Sequence, residues 1–300
     1  MTDATGAELV EERPIVVAFR DELTGPALLR WAVKRSLQTG QHITMLHAIP
    51  DPSLVLPVAA GGAPYGSLIA AARQELDEES RKVCIDYPDA HVTANVHCGD
   101  IVDALVSLSE DASLLVVGAD RLDGKTGEYL GSVGQQVALG STSPVAVIPR
   151  DRSTSVGSGG ADDGGDVVVG VDGSAESHDA LRVAAAEASR SGHGLKVVTS
   201  ATEITADETN ATTSVLEQLN EAYPSLTVTR VVDEERAPVE SLLFHAADAF
   251  LLVIGRHGRG ARPGIMLGSV THTLLLAPPC PTLVVTLRSL PASAPAGGPA

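Results

Sequence analysis

The residues with the most chemical potential lie in the stretch 251–276, LLVIGRHGRGARPGIMLGSVTHTLLL. An apolar run from Phe250 to Ile254 ends on Gly255, Gly258 follows, and Gly268-Ser269 precede a helix-like Val270 to Leu276. The pattern is G-x2-G-x9-G-S between a buried strand and a helix start. Glycines at such points let backbone N–H groups approach a ligand and tolerate positive φ. Ser269 stands where a helix N-cap belongs, and a helix N-terminus attracts anions. Arg256, Arg259 and Arg262 crowd the same loop. The chemistry these residues suit is phosphate binding. Asp172-Gly173-Ser174, after the apolar run Val167 to Val171, is the natural partner. A carboxylate there can accept from a ribose hydroxyl or an adenine amino group. The plainer reading of the same residues is a helix cap.

Elsewhere chemistry is sparse. The nine histidines show neither HxxxH nor HExxH spacing, so no metal site is expected. There is no G-x-S-x-G elbow, and no carboxylate pair is placed for acid–base work. No catalytic residue is therefore assigned. Ala119 to Thr126 fits a relaxed P-loop, but Gly127 and Gly131 follow where a helix should start, and Asp120 and Asp123 would face phosphate. A net charge of −17 disfavours nucleic acid and acidic membranes, so a bound anion needs a local N–H-rich pocket. Cys84, Cys98 and Cys280 are odd in number and lack CxxC spacing, which suits a reducing compartment. The acidic N-terminal stretch lacks an apolar core, and no apolar run is long enough to span a bilayer. The expected location is the cytoplasm.

The elements that must position these residues recur twice. Short apolar runs at 15–19, 43–49, 92–97, 114–118 and 144–148 read as strands, with helical patterns between them. After a Ser/Gly/Asp-rich stretch the order restarts, with strands at 167–171, 195–200, 226–232, 249–254 and 282–285. VVAFRDELTGPALLRWA (16–32) aligns with VVGVDGSAESHDALRVA (168–184) at an offset of 152. LLVVGADRLDGKTGEYLGSVGQQVAL (114–139) aligns with 251–276 at an offset of 137. Strand–helix alternation implies a parallel sheet with helices on both faces. The chain is therefore read as α/β, with two repeated doubly wound domains. Their bounds are a tail at 1–13, a first domain at 14–150, a linker at 151–165, a second domain at 166–288 and a disordered tail at 289–300. In such sheets ligands bind beyond the carboxyl ends of the strands, where strand order reverses.

The two copies differ at telling places. Arg20 stands where the second half has Asp172, and Arg121 where it has Gly258. Gly118, Gly131, Ser132 and Val133 keep the remainder of the motif. Arginine accepts no hydrogen bond, and its bulk blocks backbone approach. The first site is read as degenerate.

The glycine motif, the VVGVDGS opening (168–174) and the proline-led strand PTLVV (281–285) together resemble the universal stress protein family in its tandem two-domain form. The resemblance implies five-stranded sheets of order 3-2-1-4-5 and adenine-nucleotide binding, with ATP, alone or with Mg²⁺, as the cofactor. It implies that Asp172 meets the base or sugar, and that Gly255, Gly258, Gly268, Ser269 and Val270, with Arg259 in the same loop, hold ribose and phosphates. It further implies that Pro144–Ile148 and Pro281–Val285 join the halves as an intramolecular pseudo-dimer, with a homodimer as a possible assembly. The implied role is a stress-response regulator acting on an unidentified protein partner. The alternatives are a slow ATPase or nucleotide-transfer enzyme, and a nucleotide-free scaffold.

Overall fold

The computed structural model describes residues 13–20, 25–49, 51, 65–119, 133–149, 164–200, 206–259 and 267–286. The first half runs β1 (Ile15–Ala18), α1 (Gly25–Thr39), β2 (Ile43–Ile49), α2 (Tyr65–Asp86), β3 (Val92–Cys98), α3 (Ile101–Leu108), β4 (Leu114–Gly118), α4 (Val133–Gly140) and β5 (Val145–Ile148). The second runs β6 (Val167–Gly170), α5 (Ala175–Ser191), β7 (Leu195–Ser200), α6 (Ala206–Ala222), β8 (Val228–Asp233), α7 (Pro238–His245), β9 (Leu251–Gly255), α8 (Ser269–Leu276) and β10 (Thr282–Val285). Both terminal tails and most of the linker lie outside the described residues.

Among the described residues ten strands form one sheet, ordered β3-β2-β1-β4-β5-β10-β9-β6-β7-β8. Within each half the pairings are parallel, and β5 meets β10 antiparallel. In each half the first strand sits between the second and the fourth, which puts the reversal of strand order beside β1 and beside β6. The central strands are buried on both faces, which is why they read as continuous Val/Leu/Ile runs. The outermost strands, β3 and β8, are mostly half-buried or exposed and carry Thr, His and Arg. Two apolar layers cover the sheet. One gathers Leu28, Leu29 and Leu76 of the first half with Leu181, Val215 and Leu219 of the second. The other gathers Leu105 and Val137 with Leu242 and Leu274. Each layer runs through the β5–β10 junction, so the halves share a core on both faces.

Cysteine chemistry follows from this packing. Cys280 is buried, and burial pushes its thiol up to about 12, while Cys84 and Cys98 are exposed. Thiolate is the reactive form. A disulfide-exchange reagent should therefore label two thiols of the native protein and reach the third only after denaturation; three fast thiols would show that the β10 approach opens in the native state.

Candidate functional site

The carboxyl ends of β6 and β9 face a cavity of about 600 Å³. Asp172, Gly255, Gly258, Arg259, Gly268, Ser269 and Val270 all border it, joined by Val198, Leu242 and Pro238 on a more apolar wall. Sequence positions up to a hundred apart converge here because β6 and β9 are adjacent in the sheet.

Asp172 sits just past β6, where Gly173 turns the chain with φ 84 and Ser174 caps α5 by accepting from the Ser177 N–H. The Ser174 N–H and hydroxyl both donate to Asp172 Oδ1, at 3.0 and 2.6 Å. The Arg259 N–H donates to Asp172 Oδ2 at 2.8 Å. Burial pushes the Asp172 carboxyl up, but the bonds from Ser174 and Arg259 outweigh it, and the net shift is downward. The carboxylate thus both organises the α5 start and holds the glycine loop. Each carboxylate oxygen has two lone pairs, so Oδ2 retains acceptor capacity toward the cavity.

Glu176, in the first turn of α5, is a second clamp that the motif did not announce. It accepts from the His257 N–H at 2.8 Å, and His257 Nδ1 lies 3.3 Å from its other oxygen. An acid in a first helical turn is favoured by the helix dipole, and that was its only signal in the sequence. His257 is accordingly a fixed, partly buried member of the loop, not a solvent-facing one. The Thr271 hydroxyl donates to the Gly255 carbonyl at 2.8 Å, and the Gly268 N–H to the Arg256 carbonyl at 3.0 Å.

Three expectations need correcting. Ser269 is the first residue of α8, and Gly268 occupies the cap position with no side-chain capping bond. The first-turn N–H groups of a helix have no intrahelical partner, and among the described residues no side chain caps them. The motif glycines also do not need positive φ; Gly268 has φ −55. They are glycines because the loop is closely packed: a Cβ on Gly258 would lie 2.4 Å from Asp172 Oδ2, and one on Gly255 3.0 Å from the His257 carbonyl oxygen. Finally, Arg256 turns away from the anion side. Its guanidinium donates to the Ser141 carbonyl in the first half, and its Nε is buried without a hydrogen-bond partner. Arg262 lies outside the described residues.

In the first half, Gly118 ends β4 as Gly255 ends β9, and Val133, the position equivalent to Val270 of α8, is the first described residue of α4. Arg121, Gly131, Ser132 and the relaxed P-loop beyond Ala119 lie outside the described residues. The described part does differ from its counterpart. The buried Phe19 ring lies against Gly25, so close that a Cβ there would be 2.0 Å from its Cε2. The equivalent positions in the second half, Val171 and Ser177, border the cavity.

Among the described residues no group of three or more His, Cys, Asp or Glu is arranged to hold a metal, and no helix is long and apolar enough to cross a membrane.

Comparison with known proteins agrees with this architecture. A universal stress protein of Mycobacterium tuberculosis is 28% identical over 291 residues, covering 90% of this chain and 95% of that protein. Another from the same organism is 34% identical over 196 residues, covering 61% of this chain and 65% of that protein. The crystal structure of a universal stress protein from Archaeoglobus fulgidus shares the fold, with a TM-score of 0.67 at 20% identity, over 93% of this chain and 98% of that one. The universal stress protein family model matches twice, at residues 12–149 and 165–286. Two matches that together span most of the chain place it in the universal stress protein family, with the domain present in tandem.

Proposed function

We propose that the chain is an adenine-nucleotide-binding regulator that takes ATP at its second-half site. One observation carries this reading: Asp172, the 255–258 loop and the uncapped first turn of α8 converge on a single cavity at the carboxyl ends of adjacent strands. In this arrangement phosphates lie against the α8 N-terminus and the loop, where N–H groups and dipole favour anions. The sugar meets Asp172, and the base takes the wall of Val198, Leu242 and Pro238. Gly255, Gly258, Gly268, Ser269 and Val270 supply backbone, and Arg259 supplies charge at the rim. Any Mg²⁺ arrives on the phosphates, because the described residues offer no cluster of their own. The Phe19–Gly25 packing and Arg20 support a degenerate first site.

Isothermal calorimetry on intact protein tests the reading. The expected stoichiometry is near one ATP per chain. Asp172→Ala should weaken binding by roughly tenfold or more, the scale of a lost hydrogen bond to a charged acceptor plus a loosened loop. Two equivalent sites, or unchanged affinity in Asp172→Ala, would refute the assignment. A second reading, slow ATP hydrolysis, is favoured by one feature, His257 on the cavity wall with Glu176 behind it 3.3 Å from its Nδ1. ADP accumulating in the calorimetry sample would select it.

A further inference from the structure

We propose that Arg35 and Glu187 make the pairing face of each half selective for the unlike half, so that this surface accepts a first half against a second half and rejects like against like.

The junction between the halves is a local two-fold axis. At its centre Leu283 opposes Ala146, flanked by Thr282 against Val147 and Val284 against Val145. Leu283 and Ala146 are equivalent positions, 137 apart, which is the offset relating the later parts of the two repeats. Gln135 and His272 are also 137 apart, and the Gln135 amide donates to the His272 carbonyl at 2.9 Å. Arg35 in α1 and Glu187 in α5 are 152 apart, the offset of the earlier parts, and they too meet. Strand, late helix and early helix therefore each place equivalent positions in contact.

In a two-fold interface between identical surfaces, a residue on the axis meets its own copy. Had this junction joined two first halves, Arg35 would face Arg35. Joining two second halves would set Glu187 against Glu187. The observed unlike pairing instead gives a bidentate ion pair, Nη1 to Oε2 at 2.5 Å and Nη2 to Oε1 at 2.9 Å. The side chains are only 16% and 9% exposed, so solvent does little to screen a mismatch. Like charges facing each other across an interface suppress wrong partners.

The rejection is unequal on the two sides. Glu187 also receives a bond from Arg190 at 2.9 Å, so two second halves would bring their own countercharges. The position equivalent to Arg190 is Gln38, and Arg35 instead lies 5.9 Å over the Trp31 ring. Two first halves would bring two guanidiniums and no acid at these positions. First-with-first pairing is thus the more strongly barred.

The test uses the full chain with a protease site inserted between residues 155 and 160. It is made as wild type and as the charge-swapped Arg35→Glu/Glu187→Arg double variant, and each protein is cut after folding. The two cut proteins, one isotopically labelled, are mixed in urea, refolded together and weighed by native mass spectrometry. Parental pairs should exceed mixed pairs, first half of one protein with second half of the other, by roughly tenfold or more, since each mixed pair sets like charges together. When cut wild type is refolded alone, first-with-first pairs should be scarcer than second-with-second. Mixed pairs equal in abundance to parental pairs would overturn the proposal. Melting of the uncut chains gives an independent check. Arg35→Glu and Glu187→Arg should each lower Tm, and the double variant should regain most of the loss. A double variant melting no higher than the singles would also overturn it.

Discussion

Gly258→Val is expected to weaken ATP binding by at least about a hundredfold while lowering Tm by only a few degrees. A Cβ at this position would lie 2.4 Å from Asp172 Oδ2. The carboxylate has little freedom to yield, because the Ser174 N–H and hydroxyl hold Oδ1 and the Arg259 N–H holds Oδ2. Turning it aside drops these bonds, so the loop moves outward and its geometry against the α8 start is lost. The fold survives because the loop lies past the end of β9, outside the apolar layers. Calorimetry and thermal melting check the two halves of the expectation. Adding Asp172→Ala removes the atom with which the Cβ collides, so the double variant should bind no worse than Asp172→Ala alone by more than about tenfold. That would be a clearly sub-additive cycle. Unchanged affinity in Gly258→Val would mean that this loop does not hold the nucleotide.

Glu187→Ala should cost about 3–5 kcal/mol of stability, the range for removing one partner of a buried ion pair. Arg35 would be left facing an apolar methyl with 16% of its side chain exposed. Replacing both partners by apolar residues of similar size, Arg35→Met with Glu187→Leu, should be near neutral, since neither charge is then buried alone. Urea denaturation separates the cases, and a Glu187→Ala cost below about 1 kcal/mol would class the pair with exposed ion pairs. The pair also fixes a pH dependence. Burial pushes the Glu187 carboxyl up, but Arg35 and then Arg190 pull it down further, and the net shift is below its ordinary value of 4.5. A group whose folded pKa is depressed stabilises the fold above its unfolded pKa and loses that contribution as pH falls through the folded value. Wild-type stability should therefore fall as pH drops below about 4.5, and Glu187→Gln should show a shallower fall across that window.

Much of this was legible in the residues. The fully buried strands announced themselves as apolar runs, and the repeat was visible as two fixed offsets. Element ends moved by about two residues: β8 starts at Val228 instead of Leu226, and β9 at Leu251 instead of Ala249. At the site, Asp172 and the glycine loop could be found because each follows an apolar run. The reason for the glycines could not. Spacing says that small residues are needed, but the neighbour that forbids a Cβ on Gly258 lies eighty-six positions earlier. Glu176, Thr271 and the Arg256–Ser141 contact were hidden for the same cause, because each is a bond between segments that only the sheet brings together. Gly268 displaced Ser269 from the cap because its φ of −55 and ψ of 148 let the chain enter the helix one residue earlier.

The single ten-stranded sheet has a consequence for synthesis on the ribosome. β5 is complete at Ile148, while the strand that covers its edge begins at Thr282. At typical rates of about 5–20 residues per second, that edge stays bare for several seconds or more. A bare, apolar edge strand is a template for pairing with another chain. On a message carrying several ribosomes, the nearest candidates are nascent first halves, each offering the same edge. Arg35 is already in place on every one of them, so each nascent edge carries its own repellent until its intended cover has been translated.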